Sequence, residues 1–266
     1  MTTPLTLGDR FDDRVALITG SSRNLGAAIA RRFAAQGAIV AIHYQQDEIE
    51  ARAVVETIVQ TRGQAAAFQA DLSDGADARN LGETVLERFG RIDILINAVG
   101  PYADTPFASL AEPDWDRVMD ANVKAPYLLT QIVAPGMRER GWGRIVNISA
   151  GSAYIRAHSV YGLAKDAVRH LTESLAVELA PQITVNAIAP GQIEDTPAID
   201  IIAPGYKDAL REGTPLRRLV TWDELSQLAV LLCSEPFAMM TGQTLVMDGG
   251  WSLPVGRATP VIGKAV

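Results

Sequence analysis

Alternation constrains this chain more than any other feature. Short apolar, β-branched runs occur at 15–19 (VALIT), 39–43 (IVAIH), 66–69 (AAFQ), 92–97 (IDILIN), 144–149 (RIVNIS), 184–188 (TVNAI) and 244–247 (TLVM). Between them lie longer stretches of helical periodicity, at 25–36, 47–62, 75–89, 114–139, 160–179 and 222–234. Strands buried on both faces read as continuous apolar runs, and parallel neighbours need long crossovers. Each crossover here is long enough for a right-handed βαβ connection. The pattern predicts an α/β fold, a doubly wound parallel sheet of about seven strands with helices on both faces. No repeat or linker divides residues 1–266, so a single domain is expected, with its core over 13–251 and tails at 1–12 and 252–266. The least regular internal stretch, 191–215, holds Pro197, Pro204, Gly205, Gly213 and Pro215 and is expected to form a mobile lid.

Composition excludes several functions. Of 266 residues 48% are hydrophobic, enough for a large core. The net charge of −7 argues against nucleic acid or an anionic membrane as main partner. The single cysteine, Cys233, rules out a disulfide framework and Cys-pair zinc sites, and His43, His158 and His170 show no metal-ligand spacing, so no metal is expected. No apolar run reaches the roughly 18–20 residues of a bilayer span. The segment MTTPLTLGDRFDD lacks the basic and apolar regions of a secretion signal, and a cytoplasmic protein is expected.

The segment VALITGSSRNLGAAIARRFAAQG reads as strand, glycine turn and helix. Gly20 permits a sharp turn and Gly26 lets the helix pack close to the sheet. Amides of the turn and of the helix N-terminus then face one anion site, as in a Rossmann-type dinucleotide fold. Ser22, Arg23, Asn24 and Leu25 complete the turn. Asn24 stands where a middle glycine is usual, and Asn is the non-glycine residue best suited to a left-handed backbone. The second strand runs into Tyr44 and Gln45 with no carboxylate to repel a 2′-phosphate, while Arg23 could pair with one. Both features favour NADP(H) over NAD(H). Asp47 and Glu48 read as the first turn of the next helix.

With these motifs in order, the chain resembles the short-chain dehydrogenase/reductase family, single-domain branch, over about residues 13–251. TGSSRNLG (19–26) resembles the cofactor glycine motif and ADLSD (70–74) the adenine-contacting pair, here Asp71 and Leu72. INAVG (96–100) is similar to Asn-Asn-Ala-Gly and keeps Asn97 and Gly100. MDANVKAP (119–126) carries a helix asparagine at Asn122, and YGLAK matches Tyr-x-x-x-Lys at Tyr161 and Lys165. VNAIAPGQI (185–193) resembles the turn that borders the nicotinamide, placing Pro190, Gly191 and Ile193 there. The stretch 214–251 resembles bacterial 3-oxoacyl-carrier-protein reductases.

The resemblance implies hydride transfer between C4 of a nicotinamide and a carbonyl or secondary alcohol of a small molecule. Tyr161 would be general acid or base. Lys165, one helical turn on, would lower its pKa and hold the nicotinamide ribose, and Asn122 would order a connecting water. The family's serine usually lies about thirteen residues before the tyrosine. Counting back gives Ile148, whereas aligning the strand puts Ala150 in that slot. Ser149 is favoured over Ser152 as oxyanion donor, provided the strand has ended or bulged there. A threonine expected after the Pro-Gly turn is replaced by Asp195, with Thr196 next. Candidate pocket walls are Pro101, Tyr102, Tyr154, His158, Gln192 and 193–213.

The resemblance also implies a homotetramer or homodimer. The apolar faces Val118/Ala121/Ala125/Leu128 and Val168/Leu171/Leu175/Leu179 suit either an interface or packing on the sheet. Two other functions stay open: a pteridine- or imine-type C=N reductase on the same scaffold, and a dinucleotide-binding regulator with a weak site.

Overall fold

The computed structural model describes residues 10–155, 159–197 and 203–253. Its strands are β1 (Val15–Ile18), β2 (Ile39–Tyr44), β3 (Gln64–Gln69), β4 (Ile94–Asn97), β5 (Gly143–Ile148), β6 (Ile183–Pro190) and β7 (Thr244–Met247). They form one sheet in the order β3-β2-β1-β4-β5-β6-β7, with neighbours parallel throughout. The order reverses between β1 and β4, which opens a crevice at their carboxyl ends, the place where such sheets bind ligands.

The helices are α1 (Asn24–Ala35), α2 (Glu48–Gln60), α3 (Gly75–Phe89), α4 (Glu112–Met119), α5 (Ala125–Glu139), α6 (Val160–Leu179), α7 (Tyr206–Gly213) and α8 (Trp222–Cys233). Side chains alternate between two cores. Ala16, Ile18, Ile94, Ile96, Val146 and Ile148 face α1, α2 and α8. Val15, Leu17, Leu95 and Ile145 face α3, α5 and α6. Each fully buried Leu or Ile contributes roughly 1.5–3 kcal/mol relative to exposure, so both layers are strongly held to the sheet. Asp47, Asp74 and Ser159 cap their helices through side-chain oxygens, and Thr221 forms a capping box with Glu224.

Four expectations change. The helix over 114–139 is three pieces: α4, a π-helical turn (Asp120–Lys124) and α5. Pro126 has no N–H to give the carbonyl four residues back, and Ala125 bonds instead to Asp120, five back. Within 191–215, Tyr206–Gly213 is helical, with Tyr206, Ala209 and Leu210 on one face, though none of its residues is buried. Arg211 ties α7 to Glu194. The expected tail at 1–12 includes Phe11, which is buried against Phe33 with ring centroids 5.3 Å apart, so the docked chain begins earlier than 13. Of the two apolar helix faces, Val118, Ala121, Ala125, Leu128, Val168, Leu175 and Leu179 are all buried within this one chain, which makes them core. His158, 198–202, 1–9 and 254–266 lie outside the described residues.

Candidate active site

β1 ends in a turn whose backbone needs left-handed conformations at Gly20 (φ 64°) and Asn24 (φ 52°), and Asn24 opens α1. A Cβ on Gly26 would collide with the Gly20 carbonyl oxygen, so only glycine allows α1 to approach this closely. Ser21 Oγ donates to Ile18 O (2.7 Å) and accepts from the backbone of His43 (3.0 Å), while Ser21 N–H donates to His43 O (3.0 Å).

His43 braces the same turn. The Gly20 N–H donates to His43 Nδ1 at 2.8 Å, and Nε2 lies 3.1 Å from Ala70 O. An N–H donor at Nδ1 places the ring proton on Nε2, where it donates to Ala70. Burial pushes the imidazole down to about 4, so it stays neutral and can accept. Sequence reading noted His43 only as a non-ligand. The available signal was a polar residue at the carboxyl end of a buried strand beside the turn.

A cleft of about 420 Å³ opens over this turn. It gathers Gly20, Ser22, Arg23, Asn24, Leu25, Gly26, Tyr44, Asp71, Leu72 and Gly100, and adds His43, Val99 and Arg117, which sequence reading did not assign to it. Asp71 Oδ1 accepts from Ser73 N–H and Oγ (2.9 and 2.6 Å), and the Ser73 hydroxyl holds that carboxyl below its ordinary value. An adjoining hollow of about 390 Å³ lies between Arg23, Gln45 and the start of α2.

Asn97, Tyr161, Lys165, Pro190, Gly191 and Ile193 are not in the lining of that cleft. Lys165 is buried and donates from Nζ to Ile148 O at 2.7 Å, with Nζ 5.5 Å from the centre of the Tyr161 ring. Burial pushes Lys165 down to about 7. Burial, and then the neighbouring Tyr102, push Tyr161 up to about 12. Tyr102 packs edge-on to Tyr161 with centroids 5.1 Å apart, and its hydroxyl donates to Asp104 (3.3 Å).

Asn122 sits in the π turn and donates from Nδ2 to Val118 O (2.9 Å) and Pro101 O (3.2 Å). Its Oδ1 is covered and unpartnered among the described residues, as is Asn97 Oδ1. A Cβ on Gly100 would lie 2.8 Å from Lys165 Nζ and 3.1 Å from Asn122 Oδ1, so glycine keeps that approach open. Glycine cradle, cleft and unpaired buried acceptors together fit a bound dinucleotide.

Strand alternation decides where Ser149 points. Asn147 donates to Thr172 of α6, and Ser149 Oγ donates to Lys165 O of α6 at 2.8 Å. Ser149 therefore keeps the β5 alternation, and its single proton is already given to the helix backbone. β5 ends at Ile148, so Ser149 lies one residue past the strand, but its N–H still donates to Ile188 O of β6 at 2.8 Å and its side chain follows the strand's alternation. Ser152, in the 3₁₀ turn Gly151–Ala153, has a covered hydroxyl with no partner among the described residues.

Beyond β6, Gly191 N–H donates to Met247 O (3.1 Å) and Ile193 bridges to Val220. Asp195 Oδ2 accepts the Trp222 N–H at 2.8 Å. The residue standing in the threonine position thus ties the turn to the start of α8.

A family profile described as Enoyl-(Acyl carrier protein) reductase matches residues 20–252. A 3-oxoacyl-[acyl-carrier-protein] reductase of Synechocystis is 36% identical over 241 residues, covering 89% of this chain and 96% of its own. Among solved structures, a gluconate 5-dehydrogenase from Burkholderia cenocepacia in complex with NADP and tartrate has a TM-score of 0.85. It is 33% identical, covering 92% of this chain and 98% of its own. A 7α-hydroxysteroid dehydrogenase complexed with NADH has a TM-score of 0.86 at 32% identity, with coverages of 94% and 98%. With this sheet order, glycine turn and tyrosine–lysine pair, the chain belongs to the short-chain dehydrogenase/reductase family of NAD(P)-dependent oxidoreductases.

Proposed function

We propose that the protein is an NADP(H)-dependent reductase of a small carbonyl compound, equally able to run as the corresponding alcohol dehydrogenase. The juxtaposition of Tyr161 and Lys165, beside Gly100 and the unpaired Asn122 Oδ1, carries the reading. The nicotinamide supplies hydride chemistry when bound. Tyr161, raised to about 12, keeps its proton at working pH and can give it to a substrate oxygen. Lys165, lowered to about 7, is poised to gain a proton and to favour the phenolate once Tyr161 has donated. Asn122 Oδ1 can accept from a water on the path to solvent. Ser152, not Ser149, is the serine whose hydroxyl proton is free for the substrate oxygen.

Arg23, with Tyr44 and Gln45 at the end of β2, supports NADP(H) over NAD(H). Pro190, Gly191 and Ile193 are proposed to border the nicotinamide, and Asp71 and Leu72 the adenine. Exposed Tyr127, Leu163 and Val246 support assembly as a homotetramer or homodimer. Ala150 in the usual serine position favours one second reading, reduction of a C=N bond, which makes less use of an oxyanion donor. NADPH oxidation against matched panels of ketones and cyclic imines separates the two, and Tyr161→Phe should lower ketone turnover by about 10²–10⁴-fold. Unchanged turnover in that variant would sink the mechanism.

A further inference from the structure

We infer that Glu50 sets the preference between phosphorylated and unphosphorylated dinucleotides by acting as counter-ion to Arg23, an inference that rests on the NADP reading above. Arg23 Nη1 lies 3.6 Å from Glu50 Oε2, with the side chains 64% and 42% exposed. That separation exceeds hydrogen-bond range, and an exposed pair of this kind holds weakly. The guanidinium is therefore parked at the adjoining hollow and readily released.

The backbone of Glu50 is anchored at the start of α2. Glu50 is the third residue of α2, and its own N–H donates to Asp47 Oδ1 at 3.0 Å. Its Oε2 is covered and receives no hydrogen bond among the described residues. The nearby positive charge of Arg23 is what compensates that oxygen.

A 2′-phosphate carries more negative charge than a carboxylate and offers several strong acceptor oxygens, so it can take the guanidinium. Doing so leaves Glu50 Oε2 without its compensating charge. A ribose with a free 2′-hydroxyl leaves the Arg23–Glu50 pair in place. Glu50 thus penalises NADP and spares NAD, tempering a preference that Arg23 alone would make steeper.

The test measures dissociation constants for NADP and NAD by titration calorimetry on the full chain. It compares wild type, Glu50→Gln, Arg23→Ala and the double variant at low and high salt. Glu50→Gln should tighten NADP about two- to fivefold, the scale of an exposed pair, with little change for NAD. The gain should shrink at high salt and vanish when Arg23 is absent. Unchanged NADP affinity in Glu50→Gln, with Arg23→Ala still weakening NADP relative to NAD, overturns the inference and leaves the NADP reading standing. An equal gain without Arg23 also overturns it, because Glu50 would then act on the phosphate directly. An NADP-to-NAD ratio unmoved by Arg23→Ala overturns the NADP reading itself, and this inference falls with it.

Discussion

The glycine-turn half of the cleft and the tyrosine half differ in how their polar groups are used. Between β1 and β2, Gly20 N–H, Ser21 N–H, Ser21 Oγ and both ring nitrogens of His43 are paired with one another or with Ala70 and Ile18. At the carboxyl ends of β4 and β5, Asn97 Oδ1, Asn122 Oδ1 and Ser152 Oγ are covered and unpaired among the described residues, and Lys165 Nζ is buried on one carbonyl. Buried polar groups rarely stay unpaired unless something else completes them. On the proposed function, the paired groups of the first, finished half would hold the turn that cradles phosphates, and the groups of the second, unfinished half would be completed by dinucleotide, substrate and water.

The largest test of this contrast removes the proton donor from the unfinished half. Tyr161→Phe should lower kcat by about 10²–10⁴-fold, the span typical of general acid catalysis. Dinucleotide affinity should hold, because the glycine turn proposed to bind phosphates is untouched. Steady-state kinetics beside a binding titration reads both. Equal losses in binding and turnover would mean that the two halves are not separable.

The serines give the next effect. If Ser152 donates to the substrate oxygen, Ser152→Ala should lower kcat by up to about 10²–10³-fold, the range for an oxyanion donor. Ser149→Ala should instead remove a structural bond to Lys165 O and lower stability by about 0.5–1.5 kcal/mol. Paired denaturant melts and turnover assays decide; the reverse pattern returns the catalytic role to Ser149.

His43 tests the finished half. His43→Leu leaves the Gly20 N–H and Ala70 carbonyl without their partner. Stability should fall by about 1–3 kcal/mol for the buried groups left unpaired. Dinucleotide affinity should weaken with it, while kcat at saturating cofactor changes little. His43→Asn, whose side chain can still accept, should recover part of the affinity. A kcat loss matching that of Tyr161→Phe would show that the brace reaches the chemistry.

The two halves were also unequally legible in the sequence. Fully buried strands such as ILIN and VALI announce themselves as apolar runs, and Gly20, Gly26, Tyr161 and Lys165 stand at spacings that few other structures require. His43 was hidden because a buried polar residue in a strand looks like any other interruption. The π turn needed Pro126 and Asn122 to be read together across four residues. α7 is short and flanked by Pro204, Gly205, Gly213 and Pro215, so its Tyr206/Ala209/Leu210 stripe was lost among turn signals. The direction of Ser149 hung on whether the alternation of β5 continues one residue past Ile148, where the Ser149 N–H still donates to Ile188 O. That is a matter of geometry which composition and spacing leave open, and Asn147 reaching Thr172 fixes it.

The last effect has an unusual sign, and it isolates the cost of burying a lysine in the tyrosine half. Burial lowers Lys165 from its ordinary 10.5 to about 7. Between those values the unfolded chain carries a proton on this residue and the folded chain does not, so stability rises with pH across that window. Below about 7 both states are protonated, and the desolvation penalty is then carried in full. Lys165→Met keeps the volume and removes the penalty. The variant should melt higher than wild type at neutral pH, by ~2–4 °C per kcal/mol recovered for a domain of this size. The advantage should shrink as pH rises from 7 and disappear near 10.5. Adding dinucleotide should reverse the ranking, because wild type gains a partner for Nζ that methionine cannot offer. Thermal melts across pH, with and without dinucleotide, make the check. A methionine variant less stable than wild type at every pH would mean that the hydrogen bond to Ile148 O already offsets the burial, and that this half is as finished as the other.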